Sequence, residues 1–414
     1  MKILFITPYI TSTCHPALLK NQTGFGYMVH DIAQYVAKTD EVDLFISMAF
    51  TPQMEVDGFR IIGRSKWGVL KKMKFSSLWD GISFNRMYRQ PFKSRLRTLY
   101  IFVSMGQVEH ILKLKKYDIV HIHGCSELTD AAIKVCQRAK IPFIVTLHGL
   151  NSFDLSIKQN EAMRRYERNF LKEAAVNHYP VSFISTGNKN TAEESTGVKA
   201  DSFRVVCNGC NTQKQPKVED VRAEYSITLS DFVFAFVGNI SVNKNQIQVA
   251  RAWKLLPNDL REKCKVLFVG RYKDDDEIVK YICDNHLQNN LILCGIQPKD
   301  RVSAFYQACD ATILTSITEG FGLSIIEGFV YGKPNVSFGD LPATTDLYDE
   351  KVMIVAAERS DKALAETIAI AIKSKFDSNY ISNYAQRFSF ENMSNEYRII
   401  YNNLIKTNNG SVSV

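Results

Sequence analysis

The chain has 414 residues, of which 45% are hydrophobic and 23% are charged, and its formal net charge is +8. This is an ordinary globular composition, and the length suits two or three domains. No run of about 18 or more apolar residues occurs, so no transmembrane helix is expected. Residues 1–8 are too short for a signal peptide and lack its cleavage site, so they are predicted to form a buried strand.

Nine cysteines are scattered along the chain. An odd, dispersed set indicates reduced thiols and a cytoplasmic protein. Cys207 and Cys210 have the spacing of a redox or zinc motif, but Asn208 and Gly209 between them mark the exit of a strand, and no second pair exists. Neither a redox nor a zinc function is therefore favoured.

Short apolar runs alternate with segments of helical spacing through the first half of the chain. The runs predict strands at residues 1–8, 42–48, 119–123, 142–147, 181–184 and 203–206, and the spacing predicts helices at 27–36 and 129–140. Such alternation indicates a parallel sheet covered by helices on both faces.

The alternation restarts in the second half. Strands are predicted at residues 232–237, 265–269, 291–294, 311–314 and 335–337, and helices at 246–256, 276–285 and 302–308. The polar stretch 211–219, which carries Pro216, separates the halves. We therefore predict an α/β protein of two Rossmann-like domains, residues 1–210 and 211–387, that face each other across a cleft.

The strand at residues 311–314 leads into a glycine-containing turn and then into a segment of helical spacing. Gly320 and Gly322 let the backbone approach a ligand, and free N–H groups at a helix start suit a phosphate. Glu319 lies in the turn, and Glu327 follows about two helical turns later. Two acids around an anion site fit a ligand with a diphosphate and several hydroxyls. A plain strand–loop–helix connection with solvated glutamates has the same spacing.

The stretch from Glu319 to Glu327 resembles the E-x7-E signature of the retaining glycosyltransferases of family 4, which have the GT-B fold. Residues 331–334, Tyr-Gly-Lys-Pro, match the same family, and the resemblance extends over most of the chain. It implies that the helix predicted at residues 388–405 crosses back to the N-terminal domain, so that residues 388–414 belong with residues 1–210.

The resemblance implies a donor site in the second domain. Glu319 would contact the transferred sugar, Glu327 would bind the ribose hydroxyls through both oxygens, and backbone N–H groups of residues 321–324 would hold the diphosphate. The implied nucleotide-sugar-binding residues are Gly24, Gly26, Asn239, Lys244, Gly270, Arg271, Ile296, Glu319, Gly320, Phe321, Gly322, Leu323, Ser324 and Glu327.

The segment after the strand at residues 232–237 resembles the family's diphosphate clamp. Lys244 matches the family's lysine, whereas Asn239 stands where an arginine is usual and Asn245 where a glycine is usual. Asparagine donates a hydrogen bond but carries no charge, so a weaker clamp is expected. Without this context, Lys244 would be taken for a solvated surface lysine.

The first half contributes a histidine at the end of a predicted strand. His148 matches the family's histidine that contacts the donor sugar, so the expected catalytic residues are His148, Lys244 and Glu319. His121 and His123 end the preceding strand and are expected to be structural, because no third metal ligand follows them.

Two further features of the sequence concern glycines and metals. Gly24 and Gly26 resemble the family's glycine-rich loop of the first domain. Residues 274–276, three aspartates, have the form of a metal-binding D-x-D motif, but they precede a predicted helix, whose N-terminus favours acids. The resemblance implies no metal and no cofactor besides the sugar nucleotide, because lysine and helix N–H groups stabilise the charge.

Residues 60–116 carry fourteen Lys or Arg and two acids. Aromatic residues interleave with them, namely Trp67, Phe75, Trp79, Phe84, Tyr88, Phe92, Tyr100 and Phe102. Such a segment suits an anionic membrane, could bind nucleic acid, or is a solvated helical insertion with packed aromatics. Many enzymes of this family act on polyprenyl-diphosphate-linked acceptors, so the membrane is preferred and no nucleic acid partner is expected.

The resemblance thus implies a retaining enzyme that moves a sugar from a UDP-linked rather than a GDP-linked donor to a glycan or lipid-linked acceptor in bacterial surface polysaccharide synthesis. Its expected location is the cytoplasm, peripherally on the inner face of the cytoplasmic membrane. Two alternatives stay open: a sugar-nucleotide epimerase or hydrolase of the same fold, and a non-catalytic protein that binds a membrane or nucleic acid.

Overall fold

The computed structural model describes residues 1–19, 23–150, 152, 159–216 and 219–410. The chain divides into two compact units, Met1–Gly209 with Phe390–Val414, and Cys210–Ser389. Across the described ranges, no helix is long and apolar enough to cross a lipid bilayer.

The first unit contains an eight-stranded sheet within the described residues. Its strands are β1 (Lys2–Thr7), β2 (Glu41–Ile46), β3 (Met54–Val56), β4 (Phe59–Ile61), β5 (Ile119–His123), β6 (Phe143–Leu147), β7 (Val181–Phe183) and β8 (Phe203–Val205). Their order is β3-β4-β2-β1-β5-β6-β7-β8, and only β3 and β4 pair antiparallel. The central strand β1 has residues 3–6 fully buried, because helices cover both faces of the sheet.

The helices of the first half are α1 (Gly24–Ala37), α2 (Lys66–Lys71), α3 (Phe75–Met87), α4 (Phe92–Leu114), α5 (Glu127–Ala139), α6 (Glu161–Val176) and α7 (Thr186–Thr196), and Pro16–Leu18 form a 3-10 turn. Polar side chains start several of them. For example, Ser126 and Thr129 form a reciprocal cap on α5, and Asn160 accepts a hydrogen bond at the start of α6.

The second unit contains a six-stranded, wholly parallel sheet within the described residues. Its strands are β9 (Phe232–Val237), β10 (Cys264–Val269), β11 (Leu291–Gly295), β12 (Ala311–Ile313), β13 (Asn335–Phe338) and β14 (Met353–Ala356), in the order β11-β10-β9-β12-β13-β14. Its helices are α8 (Val221–Glu224), α9 (Gln246–Leu255), α10 (Asn258–Glu262), α11 (Glu277–Asp284), α12 (Val302–Ala308), α13 (Leu323–Val330), α14 (Thr344–Leu347), α15 (Asp361–Lys373) and α16 (Ser378–Ala385), followed by a 3-10 turn at Gln386–Phe388.

The last helix, α17 (Phe390–Gly410), belongs to the first unit. Its Tyr401 hydroxyl lies 2.7 Å from Nδ1 of His121 in β5, and its Tyr397 hydroxyl lies 3.2 Å from Oγ1 of Thr146 in β6. Both tyrosines are fully buried. Buried hydrogen bonds therefore fasten the C-terminal helix to the sheet of the first unit.

The strand order reverses at one point in each sheet, between β1 and β5 in the first unit and between β9 and β12 in the second. Such a reversal opens a crevice at the carboxyl ends of the two strands, where ligands of open α/β sheets bind. Lys244 lies in the segment that follows β9, and Glu319 lies in the turn that follows β12, so both second-half motifs lie at the crevice of the second sheet.

The two parallel α/β units confirm the predicted fold class, and some local details differ from the prediction. The hairpin of β3 and β4 was not predicted; its turn places Asp57 and Gly58 at φ values of 46° and 90°. Helix α1 begins at Gly24 rather than at residue 27, because Thr23 caps it through a hydrogen bond from the N–H of Gly26. Gly24 and Gly26 therefore lie in the first helical turn and not in a loop.

Candidate active site

The loop that follows β12 carries Glu319 and is held in place by two side chains from other loops. Asn243 accepts a hydrogen bond from the N–H of Thr318 at 3.0 Å and donates one to the Thr318 carbonyl at 3.1 Å. Arg359 donates to the carbonyls of Ser316 and Ile317 at 2.9 and 3.3 Å. These bonds fix the backbone on the N-terminal side of Glu319 and thereby restrict where its side chain can lie.

Lys244 and Glu319 form an ion pair between Nζ and Oε2. Their side chains are only 25% and 18% exposed. The Thr315 hydroxyl holds the backbone of the Lys244 segment in place, because it donates to the carbonyls of Lys244 and Asn245. Two of the three expected catalytic residues therefore contact each other.

Glycines end the three neighbouring strands β9, β10 and β11. The N–H of Gly238 donates to Val269 at 2.8 Å, and the N–H of Gly270 donates to Gly295 at 2.9 Å. A Cβ on Gly270 would lie 2.3 Å from the carbonyl oxygen of Gly238, so no larger residue fits there. The result is a row of bare backbone at the carboxyl edge of the sheet, which a flat ligand can approach closely.

The structure brings Asn239 next to Arg271. The side-chain oxygen of Asn239 accepts the N–H of Arg271 at 2.9 Å, and the N–H of Ile240 donates to the Arg271 carbonyl at 2.8 Å. Asn239 thus connects the loops after β9 and β10. Ile296, the other residue expected near the base, is exposed after Gly295.

Asn245 has φ of 54° at the start of α9, in the left-handed region. Asparagine tolerates this conformation better than other non-glycine residues, which explains why it can stand where a glycine is usual. Its side-chain N–H donates to Gln248 at 2.6 Å. Asparagine in place of glycine at position 245 therefore preserves the backbone conformation of the clamp segment.

The start of α13 follows directly on the Glu319 turn. Gly322 occupies the N-cap position with φ of 81°, and among the described side chains none caps this helix. Phe321 is buried and packs on Phe388, which anchors the turn, whereas Leu323 and Ser324 are half-buried in the first turn of the helix. Gly320 precedes Phe321 in the turn. Because the start of α13 has no side-chain cap among the described residues, its backbone N–H groups are of the kind that bind phosphate.

Glu327 lies one turn from the end of α13 and is half-buried. The Tyr306 hydroxyl in α12 donates to its Oε2 at 2.7 Å. Burial raises the pKa of the Glu327 carboxyl, while the hydrogen bond from Tyr306 and the charge of Lys299 act in the opposite direction. Tyr306 was not singled out from the sequence, because it precedes Glu327 by 21 residues.

In the first unit, the expected histidine His148 follows β6 and is not solitary. Its Nε2 lies 3.0 Å from Nδ1 of His123, which ends β5, and the ring of Phe25 packs on it edge-on at 4.8 Å. Burial lowers the pKa of His148 to about 3, so the ring is neutral at pH 7. Its Nδ1 is buried without a hydrogen-bond partner among the described groups.

His121 has a structural environment, as its position suggested. Its ring nitrogens lie 2.7 Å from the hydroxyls of Tyr401 and Thr146. His123 is buried as well, and desolvation lowers the pKa of both rings well below the ordinary value. His123 differs from the expectation in one respect, since it contacts the candidate catalytic His148 directly.

Gly24 and Gly26 lie at the start of α1, which packs against the loop that follows β1 at the carboxyl edge of the first sheet. The N–H of Thr11 donates to the Gly26 carbonyl at 3.1 Å, and a Cβ on Gly26 would lie 2.2 Å from the Thr11 hydroxyl. Gly26 is therefore required for close packing. A Cβ on Gly24 would meet no atom within 4 Å.

The three aspartates at residues 274–276 lie in the turn before α11, and the carboxylate of Asp276 accepts the N–H of Lys273 at 2.7 Å. Over the described part of the chain, no three His, Cys, Asp or Glu residues are grouped as metal ligands. All nine cysteines are free thiols.

The basic segment forms β4 and helices α2–α4, and the structure divides its residues into two groups. Phe84, Tyr88 and Phe102 are buried in the core, so these three aromatics cannot contribute to a membrane-binding surface. Cations that pair with acids or are buried are Arg60, Arg64, Lys74, Arg97, Lys113 and Lys115. The other cations form no ion pair among the described residues; they are Lys66, Lys71, Lys72, Arg86, Arg89, Lys93, Arg95 and Lys116.

Two family models cover almost the whole chain. The model described as Glycosyltransferase Family 4 matches residues 23–214, and the model described as Glycosyl transferases group 1 matches residues 217–388. The first match spans the His148 edge, and the second spans the Lys244, Glu319 and Glu327 sites.

Curated relatives are glycosyltransferases of several kinds. The chain is 26% identical over 243 residues to the Escherichia coli UDP-Gal:alpha-D-GlcNAc-diphosphoundecaprenol alpha-1,3-galactosyltransferase, covering 56% of this chain and 60% of the relative. It is 22% identical over 252 residues to the putative teichuronic acid biosynthesis glycosyltransferase TuaC of Bacillus subtilis, covering 61% and 60%. The chain thus spans about three fifths of the length of the curated relatives it matches.

Solved structures share the fold over nearly their full length. Sucrose-phosphate synthase from Thermosynechococcus elongatus superposes with a TM-score of 0.70 at 16% identity and covers 98% of this chain and 99% of its own. Anabaena HepE in complex with UDP superposes with a TM-score of 0.67 at 18% identity, with 97% and 100% covered. The two family matches show that the chain belongs to glycosyltransferase family 4, and the solved structures show that it has the GT-B fold.

Proposed function

We propose that this protein transfers a sugar from a nucleotide-diphosphate sugar to a glycan or lipid-linked acceptor, with retention of the anomeric configuration. The observation that carries the proposal is the Lys244–Glu319 pair at the point where the second sheet reverses its strand order. A cation and a carboxylate held together beside a glycine-rich edge suit a ligand that joins a diphosphate to a sugar.

In the proposed reaction, the bond between the anomeric carbon and the β-phosphate oxygen breaks. The acceptor oxygen bonds to the same face of that carbon, and the acceptor's proton passes to the departing phosphate. Lys244 and the N–H groups at the start of α13 stabilise the charge that develops on the leaving diphosphate. Glu319 contacts the sugar.

A UDP-linked donor is preferred to a GDP-linked donor. The E. coli relative is named for UDP-Gal, and the HepE structure contains UDP. The same relative is named for an acceptor on diphosphoundecaprenol, and TuaC for teichuronic acid synthesis, which support a setting in bacterial surface polysaccharide synthesis.

The test is a transfer assay with radiolabelled UDP-sugars and a lipid-diphosphate-linked acceptor, run with and without the acceptor. The proposal predicts an acceptor-dependent glycosylated product whose anomeric configuration, read by NMR, is that of the donor. Release of free sugar or an epimerised nucleotide at the same rate without acceptor would favour a hydrolase or epimerase instead.

We further propose that helices α2–α4 bind an anionic membrane surface from the cytoplasmic side. Trp67, Phe75 and Phe92 are 74%, 81% and 80% exposed, although they are large apolar side chains. Of the cations named above without an ion pair among the described residues, Lys66, Lys71, Arg86, Lys93 and Arg95 lie on these helices. The combination of exposed aromatics with such positive charge suits anionic headgroups. This placement would bring a lipid-linked acceptor to the enzyme.

Vesicle co-sedimentation tests this surface. Wild-type protein should bind phosphatidylglycerol vesicles at low salt and bind neutral phosphatidylcholine vesicles far less. A Phe75→Ser change should weaken binding by about tenfold, because the burial of one large apolar side chain is worth roughly 1.5–3 kcal/mol. Leu229→Ser is the matched control, since Leu229 is 97% exposed in the second unit. Equal binding of both variants, or none by wild type, would remove the membrane proposal.

A further inference from the structure

We propose that Tyr306 is a positioning residue of the nucleotide site, whose hydroxyl holds the Glu327 carboxylate ionised and oriented toward the ribose. The inference rests on the proposed function, because it takes Glu327 as the group that binds the ribose hydroxyls. Nothing in the sequence pattern around the two glutamates points to this tyrosine.

The contact between the two residues is short and enclosed. The Tyr306 hydroxyl lies 2.7 Å from Oε2 of Glu327, and Tyr306 itself is 2% exposed. Its ring stacks on that of Tyr331, with centroids 6.1 Å apart and an angle of 10° between the planes. The hydroxyl therefore has little freedom, and the carboxylate is tied to α12 by a bond that does not depend on the ligand.

The Tyr306 bond leaves acceptor capacity on Glu327 for a ribose. An ionised carboxylate has about four acceptor positions on its two oxygens, and Tyr306 uses one of them. Oε1 and the second lone pair of Oε2 remain for the two adjacent hydroxyls of a ribose. A carboxylate that is already oriented loses less rotational freedom when it binds them.

The groups that face Glu327 come from three parts of the second unit. Tyr306 comes from α12, Lys299 precedes that helix, and Cys210 begins the unit. Burial and the charge of Glu327 raise the pKa of the Cys210 thiol to about 12, so the thiol stays neutral. On another face of α13, Tyr384 of α16 packs on Phe329.

Burial favours the protonated form of Glu327, and the Tyr306 hydrogen bond opposes it. Burial raises the pKa of Glu327, whereas the Tyr306 bond and the positive charge of Lys299 act in the opposite direction. Removal of the hydroxyl should therefore raise the pKa of Glu327 further. A protonated Glu327 would lose acceptor capacity toward ribose, so nucleotide binding should weaken at a higher pH in the variant than in the wild type.

The experiment is isothermal titration of the protein with UDP between pH 5 and pH 8, for wild type and Tyr306→Phe. We expect roughly tenfold weaker binding at pH 7, the size of a hydrogen bond to a charged group. The pH at which the affinity has fallen by half should be higher for the variant. The phosphates of UDP titrate alike in both experiments, so the difference reports the protein.

Two sets of variants keep the inference separate from a general loss of structure. Tyr331→Phe makes the same chemical change in the stacked ring. The Tyr331 hydroxyl accepts a hydrogen bond from the N–H of Gln215 rather than bonding to Glu327, so this variant should bind UDP as the wild type does. In a Glu327→Gln background, Tyr306→Phe should cause no further loss, because the two residues act as one unit.

Wild-type affinity and pH dependence in Tyr306→Phe would overturn the inference, as would an equal loss in both backgrounds. Failure of the wild type to bind UDP, GDP, ADP or TDP is a different result. It would overturn the proposed function, and the inference with it.

Discussion

The two sheet edges that carry the expected site residues differ in charge: one holds an ion pair, and the other holds neutral histidines. At the edge of the second unit, Lys244 and Glu319 form an ion pair in a loop fixed by hydrogen bonds. At the edge of the first unit, His123 and His148 are buried, neutral and bonded to each other. The second edge therefore suits an anionic ligand, and the first suits neutral hydroxyl groups.

The largest effect is expected from removal of the cation at the second edge. Lys244→Ala should lower kcat for sugar transfer by about 10²–10³-fold, the usual cost of losing a group that stabilises transition-state charge. Lys254→Ala is the matched control and should retain activity, because Lys254 lies in α9 and donates to Asn285. Comparable activity of the two variants would show that Lys244 does not act on the leaving group.

The hydrogen bonds that fix the Glu319 loop should matter less than the cation, but measurably. Asn243→Ala removes three hydrogen bonds to Thr318, each worth about 1 kcal/mol, so kcat/KM should fall by roughly tenfold or more. Asn285→Ala is a control in the same unit, because its side chain accepts from Lys254 and donates to the Tyr281 carbonyl of α11. An unchanged kcat/KM would mean that the loop is ordered by the ligand.

The neutral histidines of the first edge predict a pH dependence of stability. The pKa of His148 is about 3 in the folded protein and about 6.5 when unfolded, so the unfolded chain binds the extra proton. Its contribution to the free energy of unfolding is complete above pH 6.5 and is lost as the pH falls toward 3. Below pH 6, His148→Asn should reduce the slope of stability against pH by about 1.4 kcal/mol per pH unit.

Urea unfolding between pH 5 and pH 7 measures this slope. His178→Asn is the control, since His178 is exposed in the same unit and has φ of 53°, which asparagine tolerates. Equal slopes for His148→Asn and wild type would contradict the neutral, buried state of His148.

The smallest expected effect concerns the backbone at the start of α13. Gly322→Ala places a Cβ at φ of 81° and 3.1 Å from Ile325, so it should cost about 1–2 kcal/mol of folding free energy. Thermal unfolding measures the loss. Gly24→Ala, at a position where the Cβ meets nothing within 4 Å, should be nearly neutral, and a reversed order of the two would refute the strain.

The sequence was sufficient for elements that bury long apolar runs. The strand at Phe232–Val237 and the helix at Val302–Ala308 have the bounds that were predicted. The hairpin of β3 and β4 was missed although Asp57 and Gly58 are a turn pair. Its strands have three residues each, too few to show an alternation.

The candidate site was predictable where a motif is contiguous and was missed where partners are remote in sequence. Glu319, Glu327 and Lys244 could be found by resemblance. Tyr306 and Arg359 could not, because a hydrogen bond across 21 or 43 residues leaves no local spacing. Burial cannot be read from composition, so the sequence could not separate the buried aromatics of residues 60–116 from the exposed ones.

The most direct test of the central claim is a thermal-shift panel of UDP, GDP, ADP and TDP on wild type and Glu327→Ala. A ligand that binds only the folded state raises the unfolding temperature with the logarithm of its saturation. We predict that one nucleotide, UDP, stabilises the wild type and leaves the variant unchanged. Stabilisation of neither protein by any of the four would contradict a nucleotide site in the second unit.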